Sequence, residues 1–266
     1  MVNLKSRILM NERIRAGYHR MLIDVSAMKE PAKPGQFMNI RVDEDSHRLL
    51  RKPFSIYDYD EGSKTAEIVY KVIGGGTGNL SGKVGGQSVE VLAPLGNGYE
   101  IPSKSRRVML VGGGTGLVSL HFLARVLAER GQKGITVFTG YRDEENVILD
   151  VDFEELGLKV MVATEDGSRG HKGYVTELFR EALGAASADL AIYACGPKAM
   201  LKEVVCIAGR QNPDCFVSLE EFIGCGVGAC MSCVVKVKTG KEKSAYEYKR
   251  VCREGPVFRG MSVLWE

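Results

Sequence analysis

Apolar and polar positions change their rhythm twice along the chain. Up to about Pro102 they form short strand-like runs, such as Arg20-Met21-Leu22-Ile23-Asp24-Val25 and Ala66-Glu67-Ile68-Val69-Tyr70-Lys71-Val72. Runs of that length, punctuated by Gly, Pro, Asp and Lys turns, predict a small antiparallel barrel. After the charged stretch Ser103-Lys104-Ser105-Arg106-Arg107 comes a continuous apolar run, Val108-Met109-Leu110-Val111, then Gly112-Gly113-Gly114-Thr115-Gly116 and a helical pattern reaching Glu129. Further buried-strand runs, Ile135-Thr136-Val137-Phe138, Val160-Met161-Val162-Ala163 and Leu190-Ala191-Ile192-Tyr193-Ala194, predict a parallel sheet flanked by helices. From about Phe216 glycines and cysteines crowd together, a lysine-rich polar stretch follows, and the chain returns to Val251-Cys252. The predicted class is α/β plus all-β, with an antiparallel barrel over 1–102, a parallel-sheet α/β domain over 103–215 and a small module over 216–266.

Length and composition narrow the function. At 266 residues the chain exceeds a usual single core, and 32 glycines suggest several tight ligand-binding turns. A net charge of only +3, without a dense basic run, implies neither nucleic acid nor a membrane surface as partner. Asn3, Lys5, Ser6 and Arg7 interrupt the first ten residues, so no signal-peptide core is expected. Seven cysteines, an odd number, argue for a metal site in a reducing cytoplasm rather than a disulfide framework.

The most specific pattern is Cys225-x4-Cys230-x2-Cys233 with Cys252 further on, which matches the plant-type 2Fe-2S spacing. Gly224, Gly226 and Gly228 let such a loop bend tightly and aim N–H groups at sulfur. The alternative is a structural zinc in a non-catalytic binding module, but zinc sites usually pair two short knuckles, whereas here three cysteines crowd and one stands apart. Arg51-Lys52-Pro53-Phe54-Ser55 brings cations, a ring and a hydroxyl together, and Val72 to Ser81 offers a glycine turn running into a helix start. Alone, the first reads equally as a charged edge strand; both together, ahead of a nucleotide domain, point to a flavin.

Gly112 to Gly116 follows a buried strand and opens a helix, the setting in which backbone N–H groups hold phosphate, although Leu117 departs from a strict GxGxxG. A second strand-end turn, Cys195-Gly196-Pro197, suggests a crevice shared by both. Glu165 and Asp166 at another strand end would repel a 2′-phosphate and favour NAD, whereas Arg142 and Arg169 would argue for NADP.

The order barrel, nucleotide domain, cysteine loop resembles the ferredoxin-reductase-like flavoproteins, and in detail the electron-transfer subunits of NAD-linked dihydroorotate dehydrogenases. The matching segments are Leu50 to Ile56, Tyr70 to Thr77, Gly112 to Gly116, Cys195 to Pro197, the cysteine loop and Arg250 to Phe258. The resemblance implies FAD on the barrel, with Lys52, Pro53, Phe54 and Ser55 along the flavin, Ile68, Val69 and Tyr70 beside it, and Gly76 and Thr77 at its diphosphate. Lys52 stands where the family usually has arginine; Arg51 is next to it. The resemblance further implies NAD in the α/β domain, with Cys195 near the nicotinamide, and a partner FMN subunit that oxidises dihydroorotate in de novo UMP synthesis, assembled as a dimer of heterodimers. Electron-input subunits of sulfite reductases or sulfur-reducing hydrogenases share this layout.

Overall fold

The long first strand sets the barrel: in β1 (Val2–Arg15) Leu4, Ser6 and Ile8 are buried and their neighbours exposed, the two-residue period of a half-buried strand. The computed structural model describes residues 1–15, 17–42, 50–184, 189–209, 214–240 and 245–265. After β1 come β2 (Tyr18–Asp24), β3 (Phe37–Arg41), β4 (Lys52–Ser55), β5 (Asp58–Asp60), β6 (Thr65–Lys71), the short helix α1 (Gly75–Ser81) and β7 (Ser88–Leu95). They form one antiparallel sheet in the order β4-β3-β7-β1-β2-β6-β5. The sheet curls, so that Phe54 of β4 meets Tyr70 of β6 edge to face, with centroids 5.6 Å apart. Met38, Ile40, Phe54, Ile68 and Tyr70 fill the barrel core.

The second layer begins with β8 (Arg107–Gly113), α2 (Leu117–Glu129), β9 (Ile135–Tyr141), α3 (Asp150–Glu155), β10 (Lys159–Thr164) and β11 (His171–Lys172). It continues through α4 (Val175–Gly184), β12 (Leu190–Cys195), α5 (Lys198–Ala208) and β13 (Cys215–Ser218). The strand order is β11-β10-β9-β8-β12-β13, all parallel. Its direction of progression reverses between β8 and β12, which opens a crevice at their carboxyl ends. One boundary differs from the expected 215/216: β13 crosses that point, and β16 (Val257–Arg259) returns to pair antiparallel with it. Between them lie the cysteine loop and a hairpin of β14 (Val234–Lys238) and β15 (Tyr246–Arg250). The cysteine module is thus an insertion between two neighbouring strands of the nucleotide sheet, which is why a break in composition at Phe216 does not mark a break in the sheet.

The three modules share cores. One face of the parallel sheet buries Val111, Phe138 and Leu201 together with Phe37 of the barrel and Cys233 and Cys252 of the loop. The other buries Leu110, Leu123 and Phe153 together with the barrel residues Tyr57, Val69 and Tyr99. A polar seam accompanies this second contact. Tyr57 stacks on His121 at 4.0 Å and 10°, and Arg20 Nε lies 3.0 Å from Glu67 while its Nη2 donates to Asp152 of α3. Burial pushes Glu67 up to about 7, against the opposing pull of Arg20. The sign follows: a raised carboxyl stabilises the fold below its unfolded pKa, and that contribution is lost as pH rises through about 7. Arg20→Met should therefore destabilise the chain by ~2 kcal/mol, the cost of stripping one partner from a half-buried pair. The loss should grow between about pH 5 and pH 8, where Glu67 must ionise without its partner; thermal denaturation at several pH values would measure it.

Candidate functional site

A cleft of about 840 Å³ opens at the carboxyl ends of β8, β9 and β12. Its floor is Gly113, Gly114, Thr115 and Gly116 from one turn and Gly196 and Pro197 from the other. The turns touch: a Cβ on Gly116 would lie 2.3 Å from the Cys195 carbonyl oxygen, so only glycine permits this approach. Gly112 does not reach the cleft; the space at its Cα is filled by Leu117. Leu117 thus closes the position where the stricter fingerprint carries glycine, and packs rather than binds.

Cys195 is also behind the wall. Its side chain is 1% exposed, and burial pushes the thiol up to about 12, with the Glu220 charge adding to the rise. It is a neutral packing group at the cleft's base, and Gly196 and Pro197 are what the strand end offers a ligand. Of the four charges weighed for coenzyme choice, the cleft contains Glu165 and Arg142. Asp166 accepts from Ser168 N–H at 2.9 Å and Ser168 O–H at 2.6 Å, and Arg169 is drawn to Asp150 at 3.7 Å. Sequence reasoning missed Tyr18, Lys71, Tyr174, Arg180 and Glu220, which also line the cleft. Tyr18 and Lys71 come from the barrel, so only the tertiary fold reveals them.

On the barrel, strand alternation sorts the flavin candidates. Phe54, Ile68 and Tyr70 point into the barrel core and Val69 outward, into the core shared with α2. The inward residues can offer a ligand only backbone groups. Lys52 runs beside Gly76, with its Cε 3.3 Å from where a Cβ would sit, which brings the strand and the glycine turn together. The Thr77 hydroxyl accepts from Ile73 N–H at 3.0 Å and Gly74 N–H at 3.3 Å, and holds that turn. Arg51 goes elsewhere: its guanidinium donates to Glu90 and Asn3 at 3.0 and 3.1 Å. The neighbouring cation therefore does not take over the role of the substituted arginine.

The four cysteines of the loop are free thiols. Cys225 Sγ accepts from the N–H groups of Val227, Ala229 and Cys230 at 3.3–3.4 Å. Burial opposes its ionisation, yet these donors outweigh burial and bring the thiol down to about 6. Cys225 interacts with Cys230, and Cys252 N–H donates to Cys233 Sγ at 3.4 Å. Cys225 and Cys230 thus neighbour each other, as do Cys233 and Cys252, and Cys252 also feels Cys225. Among the described residues no three metal-ligating side chains gather around one point. Four neighbouring cysteines with N–H donors aimed at sulfur fit an iron-sulfur cluster.

This geometry has close relatives. A dihydroorotate dehydrogenase B (NAD(+)) electron transfer subunit from Caldanaerobacter subterraneus subsp. tengcongensis is 41% identical over 262 residues, 98% of each chain. The chain belongs to the dihydroorotate dehydrogenase B electron transfer subunit family. A Streptococcus pneumoniae member is 35% identical over 267 residues, 99% of this chain and 100% of that one. Two family models match within it: "Iron-sulfur cluster binding domain of dihydroorotate dehydrogenase B" over residues 220–264 and "Oxidoreductase NAD-binding domain" over 110–206. Among solved structures, a chain of an NADH-dependent reduced ferredoxin-NADP oxidoreductase is 32% identical with a TM-score of 0.85, over 98% of this chain and 90% of that one. The ferredoxin reductase of a carbazole 1,9a-dioxygenase, 21% identical with a TM-score of 0.69 over 80% of this chain and 67% of its own, shares the fold of this electron transfer subunit. No helix among the described residues is long and apolar enough to cross a membrane.

Proposed function

We propose that the chain holds FAD and one 2Fe-2S cluster, binds NAD, and carries electrons between NAD and the FMN-containing subunit that oxidises dihydroorotate. The observation that carries this reading is the set of four neighbouring cysteines, Cys225 beside Cys230 and Cys233 beside Cys252, the last two in a core that also contains Phe37 of the barrel and Val111 of the nucleotide sheet. A cluster carries one electron and NAD accepts a hydride, and a flavin between them converts one into the other. Lys52 and the Gly76-Thr77 turn would hold the flavin diphosphate, and the outward strand edge at Pro53 and Ser55 would lie along its ring. The Gly113 to Gly116 turn supplies N–H groups to the NAD diphosphate, with Gly196 and Pro197 bounding the nicotinamide side. Protein purified without oxygen should carry roughly two irons and two sulfides per chain, together with FAD. One zinc without iron, or FMN in place of FAD, would overturn the assignment.

Glu165, the acid that does reach the cleft, is proposed to set the preference for NAD by repelling a 2′-phosphate. Wild-type kcat/KM should favour NADH over NADPH by at least ~10-fold, and Glu165→Gln should erase about that factor, near 1.4 kcal/mol. Equal efficiency with the two coenzymes in wild type would show that Arg142 governs the choice.

A further inference from the structure

Among the described residues Asn39 is the one side chain with two buried polar atoms that both lack a partner. It is 0% exposed, yet neither its Nδ2 nor its Oδ1 has a hydrogen-bond partner. Buried amides are nearly always paired, and an orphaned one calls for a missing partner.

Its surroundings say where that partner belongs. Along β3, Met38 and Ile40 point into the barrel core, while Phe37 packs in the core shared with Cys233 and Cys252. Alternation puts Asn39 on the same outer face as Phe37. Across the ladder to β4, Phe37 pairs with Ser55 and Asn39 with Pro53, the two residues assigned to the flavin ring. On the other side the amide presses on the cysteine loop: a Cβ at Gly226 would lie 2.6 Å from Asn39 Nδ2. Gly226 has φ of 75° and follows Cys225 directly. The orphaned amide thus stands between the proposed flavin strand and the ligand loop, with its nitrogen toward the loop.

We infer that Asn39 donates a hydrogen bond from its side-chain amide to a sulfur of the bound iron-sulfur cluster and so tunes the flavin-to-cluster step. The inference rests on the cluster proposed above. The loop already directs three backbone N–H groups at Cys225, and Asn39 adds a donor from a different module. Hydrogen bonds to sulfur stabilise the reduced, more negative cluster and raise its potential. Because the donor is anchored on the strand beside Pro53, the same contact fixes the distance between the two redox groups. Aspartate would place an unpaired charge there, whereas leucine keeps the volume and removes the donor.

The test uses the full chain with iron, sulfide and FAD quantified. In Asn39→Leu, EPR-monitored titration should show the cluster harder to reduce by about a tenfold change in its one-electron equilibrium, ~59 mV, with the FAD potential unmoved. In wild-type protein carrying ¹⁵N in asparagine side-chain amides, pulsed EPR of the reduced cluster should show a coupled nitrogen. If Asn39→Leu keeps the cluster and neither its potential nor its spectrum changes, the inference is wrong. If Asn39→Leu loses the cluster, the wild-type spectrum decides: a coupled amide nitrogen supports the bond and its absence overturns it. Wild type without iron would instead refute the cluster itself.

Discussion

Cys252→Ser should abolish dihydroorotate-dependent NAD reduction by the assembled complex, a loss on the order of 10³-fold or more, while NADH-driven reduction of an artificial acceptor survives. Cys252 is 3% exposed, and burial pushes its thiol up to about 12, with neighbouring Cys233 adding to the rise. A bound metal would draw off the thiol proton. Serine would keep the size but give iron a harder, less polarisable ligand. The proposed cluster would lose one of its four ligands. The nucleotide cleft is built from β8, β9 and β12 and contains no loop cysteine, so flavin and NADH chemistry should persist. The measurement is a pair of assays on one preparation, the coupled reaction and the acceptor reaction, with iron determined alongside. Coupled turnover at wild-type rate in Cys252→Ser would remove Cys252 from the ligand set.

Much of the candidate site is legible in the sequence, and the reason is chemical. Iron-sulfur ligands are mostly cysteines at a spacing a short loop can fold, and tight turns need glycine where backbones touch, so Cys225 to Cys233 and Gly113 to Gly116 stand out as candidates. Gly116 shows the second rule directly, because it admits the Cys195 carbonyl. What stayed hidden depends on partners far along the chain. Arg51 is claimed by Glu90, 39 residues away, across the barrel, and nothing local to Arg51-Lys52 announces that. Asn39 sits in a run, Phe37 to Ile40, that reads as an ordinary strand; its meaning comes from Gly226 packing against it. Cys195 reads in the sequence as part of a strand-end turn, and its neighbours Gly196 and Pro197 do line the cleft, but its own side chain is buried behind it. The insertion of the cysteine module between β13 and β16 was illegible for a topological reason. Short strands of four and three residues carry too little pattern to show that they belong to a sheet begun a hundred residues earlier.

The isolated chain should reduce an artificial acceptor with NADH and yet show no dihydroorotate-dependent NAD reduction until the FMN subunit is added. In the proposed function the cleft and its turns serve NAD, the outer strand edge FAD and the loop the cluster, which leaves substrate oxidation to another chain. The cysteine loop is where that chain would dock. Phe222, ahead of Cys225, is 70% exposed and Met231, between Cys230 and Cys233, 49%, and the Ser232 hydroxyl donates to the Phe222 carbonyl at 2.7 Å, which ties these two parts of the loop together. Cys225 and Cys230 lie toward this surface, whereas Cys233 and Cys252 are buried against the barrel's Phe37. Cys225 and Cys230 thus face outward and Cys233 and Cys252 inward, an arrangement that would pass electrons between the surface and the proposed flavin. An aromatic buried at the centre of an interface is the kind of residue whose truncation costs ~2 kcal/mol or more of binding, and Phe222 would take that place if the partner docks on the loop. Phe222→Ser should therefore weaken subunit association by about 30-fold without changing iron content or NADH-driven acceptor reduction. Titrating the FMN subunit into wild-type and variant chains, with NADH formation from dihydroorotate as readout, measures both expectations. A chain that oxidised dihydroorotate unaided, or that never coupled to the FMN subunit, would have to serve a different redox complex with the same layout.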